Sequence, residues 1–332
     1  MRIFVVAGSS RRKTNCPAAD SKASFFAKRI KEKLATNWTV DILNIGNDYV
    51  LPKIQSCNGC VSTSMALCVW PCNCYKRHDF FEPDLMWDED VYGRIYAADA
   101  ILICSPINWY GPTSSIKLIF DRLVCANGGN PREDLIMHKD GNLAAKLEHS
   151  EKWQELSLNH LEGRTAAFFI YGDAGSDEVD TSGKPKILQH KNYFDPEEEA
   201  KIQSAASKFA PIIWQCRYSG IEVPEHLTKE INFGIDAKYS DNQIAELKKN
   251  MQVLDQFDAW VKDVKKFVEE KGKVSPSKYP VPLKGADSLM NPFLRQLQLL
   301  VRTVLGNLWL HSFGYFISRY IAKKSALKNN NN

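Results

Sequence analysis

Hydroxyl and basic residues follow the first apolar segment of the chain. Residues 2–7 are strand-like, and Gly8-Ser9-Ser10-Arg11-Arg12-Lys13-Thr14-Asn15 come directly after them. Backbone N–H groups, hydroxyls and cations ahead of a helix form a natural anion site. The pattern therefore predicts a phosphate site, although a basic surface turn with a helix cap would look similar. The candidate ligands are Ser9, Ser10, Arg11, Thr14 and Asn15, together with Ser21 and Lys22 of the next helix.

A second apolar segment, residues 100–104, ends in a loop of different chemistry. It continues as Ser105-Pro106-Ile107-Asn108-Trp109-Tyr110-Gly111-Pro112, in which Pro, Gly and aromatic side chains suit a flat ring. In an open parallel sheet, ligands bind beyond the carboxyl ends of the strands. The phosphate and the ring can therefore belong to one ligand, and FMN has both parts.

Five cysteines fall close together as Cys57-x2-Cys60-x7-Cys68-x3-Cys72-x-Cys74. No signal-peptide pattern follows Met1, so we expect a cytoplasmic, reducing location. Clustered thiols there indicate metal or redox chemistry rather than a disulfide framework. The spacing matches no zinc-finger pattern. We weigh a [4Fe–4S] cluster and a metal-free loop that lines the cofactor or is redox-active equally, and zinc comes third.

Other titratable side chains are expected to have structural roles. Cys16, Cys104, Cys125 and Cys216 are interpreted as small core residues. The three histidines of the region 126–160 are expected at the surface or in packing, and no acid–base residue is assigned. They are His138, His149 and His160.

Composition indicates an ordinary soluble globular protein. The chain has 332 residues, of which 44% are hydrophobic and 25% are charged. The formal net charge of +4 is too small to favour nucleic acid as a partner. After Met290, however, six basic residues occur and no acidic ones.

The order of elements predicts the fold. Strands are expected at 2–7, 40–43, 100–104 and 165–171, with a weak fifth at 220–223. Helices are expected at 19–36, 85–97, 113–124, 196–217 and 241–271. This alternation predicts an α/β, flavodoxin-like, five-stranded parallel sheet with helices on both faces. The expected FMN domain is 1–272, with a Cys-rich loop at 52–80 and an insertion at 126–160. Residues 273–332 form a Pro-rich linker and an amphipathic C-terminal helix.

The motifs resemble the NADPH-dependent FMN reductase family, and more narrowly its iron–sulfur flavoprotein branch. The resemblance covers about residues 1–225. It depends on Gly8-Ser9-Ser10-Arg11, Cys57-Asn58-Gly59-Cys60, and the segment 105–111 before a helix ending Phe120-Asp121-Arg122. It implies that the first loop holds the FMN phosphate, and that Cys57, Cys60, Cys68 and either Cys72 or Cys74 would hold a cluster if one binds. It further implies a ring site made of Ser105, Pro106, Ile107, Asn108, Trp109, Tyr110 and Gly111, completed by Tyr171, Gly172, Asp173 and Gly175.

The expected activity is FMN-dependent NAD(P)H oxidoreduction of quinones or similar small-molecule acceptors. The alternative is an iron–sulfur flavoprotein that carries electrons between protein partners. A third possibility, a scaffold without flavin, is disfavoured because such a scaffold has no need of the Ser-Pro loop or Arg11. The resemblance also implies a homo-oligomer.

The segment 293–324 combines an apolar helical stripe with basic and aromatic residues. Such a helix packs on the core or a second subunit, or it makes a peripheral membrane contact. Arg302, Asn307, His311 and Arg319 interrupt any span long enough to cross a bilayer.

Vesicle flotation separates these two roles. If the segment binds membranes, the full chain will float with anionic vesicles, and a chain lacking residues 285–332 will stay at the bottom of the gradient. Failure of the full chain to float would rule out the membrane contact.

Overall fold

The computed structural model describes residues 1–13, 19–46, 54–75, 84–109, 111–137, 139–172, 181–182, 208–233, 243–275 and 277–279. The chain divides into two units, one of Met1–Asp48 with Pro52–Pro282 and a second of Tyr49–Leu51 with Leu283–Asn332. The second unit, and with it the expected C-terminal helix, lies outside the described residues. Within the described ranges, no helix is long and apolar enough to cross a membrane.

Five parallel strands form one sheet in the order β2-β1-β3-β4-β5. Their bounds are β1 Arg2–Ala7, β2 Thr39–Asn44, β3 Ala100–Pro106, β4 Thr165–Gly172 and β5 Thr228–Asn232. The three central strands are almost wholly buried, as expected where helices cover both faces of a parallel sheet. This strand order confirms the flavodoxin-like prediction.

The fifth strand lies later in the chain than predicted, so its placement at 220–223 is wrong. That segment makes a single parallel bridge, between Glu222 and Thr165. Pro224 follows, and proline has no N–H with which to continue the ladder. The chain then forms a 3₁₀ turn at Glu225–Leu227 before pairing with β4 over Thr228–Asn232.

The described helices agree with the sequence pattern in position but are often shorter. The predicted helix at 85–97 is two helices, separated at Asp90, whose φ is +48°. The long helix predicted at 241–271 breaks at Asn250, which caps the second part. The bounds are α1 Lys22–Leu34, α2 Leu85–Asp88, α3 Val91–Tyr96, α4 Ser114–Arg122, α5 Gly141–Glu148, α6 Glu151–Leu156, α7 Ala210–Tyr218, α8 Ile244–Leu247 and α9 Met251–Lys271.

Helices α1 and α9 cover one face of the sheet with an aromatic core. The ring centroid of Phe26 lies 4.7 Å from that of Phe257 and 4.9 Å from that of Phe169. At the edge of this core, Arg29 of α1 donates two hydrogen bonds of 2.7 Å to Asp258 of α9. The two helices are therefore fixed to β4 and to each other.

The Cys-rich loop and the insertion 126–160 pack against each other. Ala66, Leu67 and Val69 of the loop form a small apolar cluster with Ile136 and Ala144 of the insertion. Backbone hydrogen bonds join the two segments from Trp70 N–H to the Asn130 carbonyl and from Asn130 N–H to the Cys68 carbonyl, at 2.9 and 2.7 Å. The Cys-rich loop and the insertion, which both lie outside the sheet, thus share one apolar core.

His160 is fully buried behind this cluster. Its ring stacks on Trp70 with centroids 5.3 Å apart, and its Nε2 lies 2.7 Å from the Gly129 carbonyl oxygen, to which the neutral ring donates. Burial lowers the pKa of His160 from 6.5 to about 4. The neutral ring is therefore the form that the fold requires.

This burial predicts a pH-dependent stability. The unfolded chain binds a proton at His160 below pH 6.5 and the folded chain does not, so the contribution is complete above pH 6.5 and is lost as pH falls towards 4. The wild-type chain should lose about 3 kcal/mol more unfolding free energy across this window than His160→Gln. Urea unfolding at a series of pH values measures the difference. The exposed His149→Gln is the control, and equal slopes for all three chains would contradict the prediction.

Candidate functional site

The exits of β1 and β3 lie side by side at one edge of the sheet. The two strands pair in parallel from Ile3 with Ala100 to Ala7 with Cys104. The Gly8 N–H then donates to the Cys104 carbonyl at 2.8 Å. This edge is the switch point of a flavodoxin-like sheet, where ligands bind.

Thr113 joins the loop after β1 to the loop after β3. Its hydroxyl donates to the Gly8 carbonyl at 2.7 Å and accepts from the Ile116 N–H at 3.3 Å, which caps α4. Thr113 is not among the site residues predicted from the sequence. A Thr directly before a helical pattern is a recognisable N-cap signal, but its bond to Gly8 crosses 105 residues.

The loop after β1 is held by very close backbone packing. A Cβ on Gly46, which follows β2, would lie 2.5 Å from the Arg11 carbonyl oxygen and 2.8 Å from that of Ser9. Ser9 is buried and accepts from the Arg11 N–H at 3.3 Å, whereas Arg11 is exposed. The Ser10 hydroxyl lies 3.0 Å from that of Ser115 in α4. The loop therefore has a defined shape and presents Arg11 and Lys13 outward.

Of the remaining predicted phosphate ligands, Ser21 and Lys22 have contacts within the protein. Ser21 is buried and caps α1, accepting from the Ser24 N–H at 3.0 Å. The Lys22 ammonium lies 5.1 Å from the ring centroid of Phe233. Thr14 and Asn15 lie outside the described residues, as do the predicted ring-site residues Tyr110, Asp173 and Gly175.

The loop after β3 forms a tight turn that presents Trp109. Asn108 and Gly111 exchange backbone hydrogen bonds of 2.9 and 3.1 Å. Trp109, between them, has φ of +48° and is 96% exposed. Positive φ is costly for a bulky residue and concentrates at ligand sites. An indole held outward in this way suits stacking on a flat ring.

The exit of β4 closes the ring-site loop from the other side. Ile107 N–H donates to the Tyr171 carbonyl at 2.9 Å, and a Cβ on Gly172 would lie 3.5 Å from the Ile107 Cβ. The Tyr171 side chain is buried against Phe26, and burial raises its pKa. Tyr171 therefore contributes its backbone to this edge and its ring to the core. Ser105 is also buried, and its hydroxyl donates to the Pro106 carbonyl at 3.0 Å.

This edge fits FMN. A Cβ on Gly8 would lie 2.7 Å from Cγ1 of Ile116, so only glycine allows β1 and α4 to approach this closely. The three consecutive cations Arg11, Arg12 and Lys13 suit a phosphate, and the exposed Trp109 suits the ring. The two features lie on neighbouring loops, as the two ends of one ligand require.

Cys72 of the Cys-rich loop lies close to a buried ion pair. Arg122 and Asp84 are both buried, with 2.8 Å between Nη2 and Oδ2. The Arg122 guanidinium also donates to the Gln55 carbonyl at 3.2 Å and lies over the Tyr75 ring. The last residue of α4 thereby anchors both ends of the described Cys-rich loop.

The thiols of the Cys-rich loop differ in their ionisation. Burial raises the pKa of Cys68 to about 12. The pKa of Cys72 is lowered, because Cys74 hydrogen-bonds to its sulfur and the Arg122 charge lies nearby. Cys60 and Cys74 have their sulfurs 3.3 Å apart, and Lys139 contacts both.

This arrangement does not fit a metal site. Two thiolates on one tetrahedral zinc stand about 3.8 Å apart, since each Zn–S bond is about 2.3 Å. The Lys139 ammonium lies where a metal would face the Cys60 and Cys74 sulfurs, 3.7 and 3.6 Å away. Among the described residues, no group of three or more His, Cys, Asp or Glu side chains is arranged to hold a metal ion. Cys57, Cys60, Cys68, Cys72 and Cys74 as cluster ligands stay a prediction without structural support.

The other titratable residues lie largely as expected. Cys104, Cys125 and Cys216 are buried, and burial raises the pKa of each thiol. His149 is exposed and His160 is a packing residue. Cys16 and His138 lie outside the described residues.

Comparisons with known proteins identify the family of this fold. The family model described as NADPH-dependent FMN reductase matches residues 1–186, more than half of the chain. A search of curated proteins finds no match.

Similar solved structures have low identity. General stress protein 14 of Treponema denticola, in complex with FMN, is 10% identical over 82% of this chain and 98% of its own, with a TM-score of 0.33. An NADPH-quinone reductase of P. pentosaceus is 12% identical over 78% and 94%, with a TM-score of 0.31. Because both TM-scores are below 0.5, the family assignment depends on the family model alone.

The packing at Gly8 predicts the effect of one methyl group. In Gly8→Ala the new Cβ would clash with Ile116 and push α4 away from the β1 loop, so FMN should bind at least about tenfold more weakly, or ~1.4 kcal/mol. Gly141→Ala is the matched control, because its Cβ meets nothing closer than 3.7 Å at the start of α5. Fluorescence titration of the apoprotein with FMN measures both variants. Equal FMN affinity in the two variants would contradict the prediction that the close packing at Gly8 shapes the FMN site.

Proposed function

The chain belongs to the NADPH-dependent FMN reductase family, and on that premise we propose that it reduces quinones or similar small-molecule acceptors. Family membership makes it an NAD(P)H-dependent FMN oxidoreductase. Family membership does not specify the acceptor class or the roles of individual residues, and these are what we propose.

The joined loops at the β1–β3 edge carry this proposal. Thr113 ties the two loops together at 2.7 Å from the Gly8 carbonyl oxygen. Basic residues stand on the first loop and an outward indole stands on the second. The proposed phosphate site is Ser9, Ser10 and Arg11, with Thr14, Asn15, Ser21 and Lys22 as further candidates. The proposed ring site is residues 105–111 with Tyr171, Gly172, Asp173 and Gly175.

FMN supplies hydride and electron transfer, whereas the protein binds and orients it. Pro106 and Ile107 lie on the β3 exit, and Ile107 is fixed to β4 by its bond to Tyr171. Trp109 lies at the exposed side of this turn, where a nicotinamide or quinone ring can stack. We propose that Trp109 positions the second ring beside the flavin, and no side chain is assigned an acid–base role.

We also propose an FMN domain of 1–272 followed by a C-terminal extension of 273–332, a homo-oligomer, and a cytoplasmic location. Peripheral membrane contact through 293–324 would bring the enzyme to a lipid-soluble quinone. The alternative function, an iron–sulfur electron carrier, is weakened by the Lys139 ammonium beside the Cys60 and Cys74 sulfurs.

Anaerobic mixing with NADPH tests the proposed function. The purified, FMN-loaded chain should lose its visible flavin absorbance rapidly, and a quinone added afterwards should restore it. Iron analysis of the same sample should find none. Slow bleaching together with several irons per chain would instead establish the electron carrier.

Two exposed tryptophans provide a matched comparison for the ring site. Trp109 is 96% exposed at the site, and Trp214 is 57% exposed on α7. Trp109→Ala should lower kcat/KM for quinone by about three- to tenfold, as expected for one lost aromatic stacking contact. Trp214→Ala should leave it unchanged. Equal effects of the two substitutions would remove Trp109 from the proposal.

A further inference from the structure

Two free cysteines of the Cys-rich loop are in direct contact. The Sγ atoms of Cys60 and Cys74 are 3.3 Å apart, although 14 positions separate them in the chain. Cys60 begins the 3₁₀ turn Cys60–Ser62, and Cys74 lies near the end of the described loop. The loop has therefore folded back so that these two sulfurs meet.

A fixed cation stands beside both sulfurs. Nζ of Lys139 lies 3.7 Å from Sγ of Cys60 and 3.6 Å from Sγ of Cys74, and it also donates to the Leu67 carbonyl at 3.3 Å. Lys139 comes from the insertion 126–160, so the two segments that share a core also build this pocket. The ammonium disfavours a metal cation in the same place.

Access also distinguishes this pair from most of the other thiols. Cys60 and Cys74 are partly exposed, whereas Cys68, Cys72, Cys104, Cys125 and Cys216 are buried. A small molecule in solution can therefore reach the pair. Joining the sulfurs needs a movement of only about 1.3 Å, because a disulfide bond is about 2.05 Å long.

We propose that Cys60 and Cys74 are a redox-active dithiol that low-molecular-weight disulfides oxidise to a reversible intramolecular disulfide. One cysteine sulfur attacks the small disulfide, which forms a mixed disulfide and releases one small thiol. The second cysteine then attacks the protein sulfur of the mixed disulfide and releases the other small thiol. The two cysteines lose two protons and two electrons in total, and these convert the small disulfide into two thiols.

Peptide mapping of the full-length, FMN-loaded chain tests this pair. The chain is equilibrated with glutathione disulfide, alkylated, digested and analysed by mass spectrometry. The expected result is a Cys60–Cys74 link that excess reduced glutathione removes. Cys60→Ser and Cys74→Ser should each abolish the link completely and leave glutathione on the remaining partner.

Cys57→Ser is the control for metal binding. Cys57 lies in the same loop, and its sulfur accepts from the Gly59 N–H at 3.4 Å, a contact that serine can retain. A dithiol keeps its Cys60–Cys74 link in this variant, whereas a cluster that uses Cys57 would be lost.

Three results would overturn the proposal. They are a link between Cys72 and Cys74 instead, glutathione on single cysteines without any link in the wild-type chain, and thiols protected by stoichiometric iron or zinc. The mapping of the wild-type chain needs no variant, so poor folding of a serine variant does not affect the test.

Discussion

The hydrogen bond from Thr113 to the Gly8 carbonyl is the constraint on which the rest of the site depends. The first turn of a helix leaves N–H groups without intrahelical partners, and the Thr113 hydroxyl accepts one of them. The same oxygen donates to the carbonyl that ends β1. One buried side chain thus fixes where α4 begins and how far the two loops stand apart. The basic loop after β1 and the indole of Trp109 are thereby held in register.

The sheet was largely predictable from the sequence, because three of its strands are short, apolar and buried on both faces. The fifth strand was not, because Thr228–Asn232 has one apolar residue, Ile231, among four polar ones, whereas the Gly220 to Val223 segment is more apolar but stops at Pro224. In the site, loop chemistry predicted which segments lie together. It could not predict side-chain direction, so the inward turn of Tyr171 and the packing at Gly46 appear only in three dimensions.

The Cys-rich loop illustrates the same limit for chemistry. The close grouping of five cysteines leaves metal ligation and a redox-active loop equally weighted, since both need several nearby thiols. The discriminating group is the Lys139 ammonium, which is 65 residues from Cys74 in sequence and 3.6 Å from its sulfur. Arg122 acts in a similar way, because a helix-terminal arginine becomes the buried partner of Asp84 only when the loop folds over it. Distant cations therefore determine what these thiols can do.

The shared core of the Cys-rich loop and the insertion has a consequence for how such a protein can diversify. Ile136 and Ala144 have their apolar partners in the other segment, and the Asn130 backbone pairs with Cys68 and Trp70. Neither segment keeps its packing if it is exchanged alone. The Cys-rich loop and the insertion therefore behave as one structural unit, which must be inherited or grafted as a whole. The sheet beneath them can stay the same.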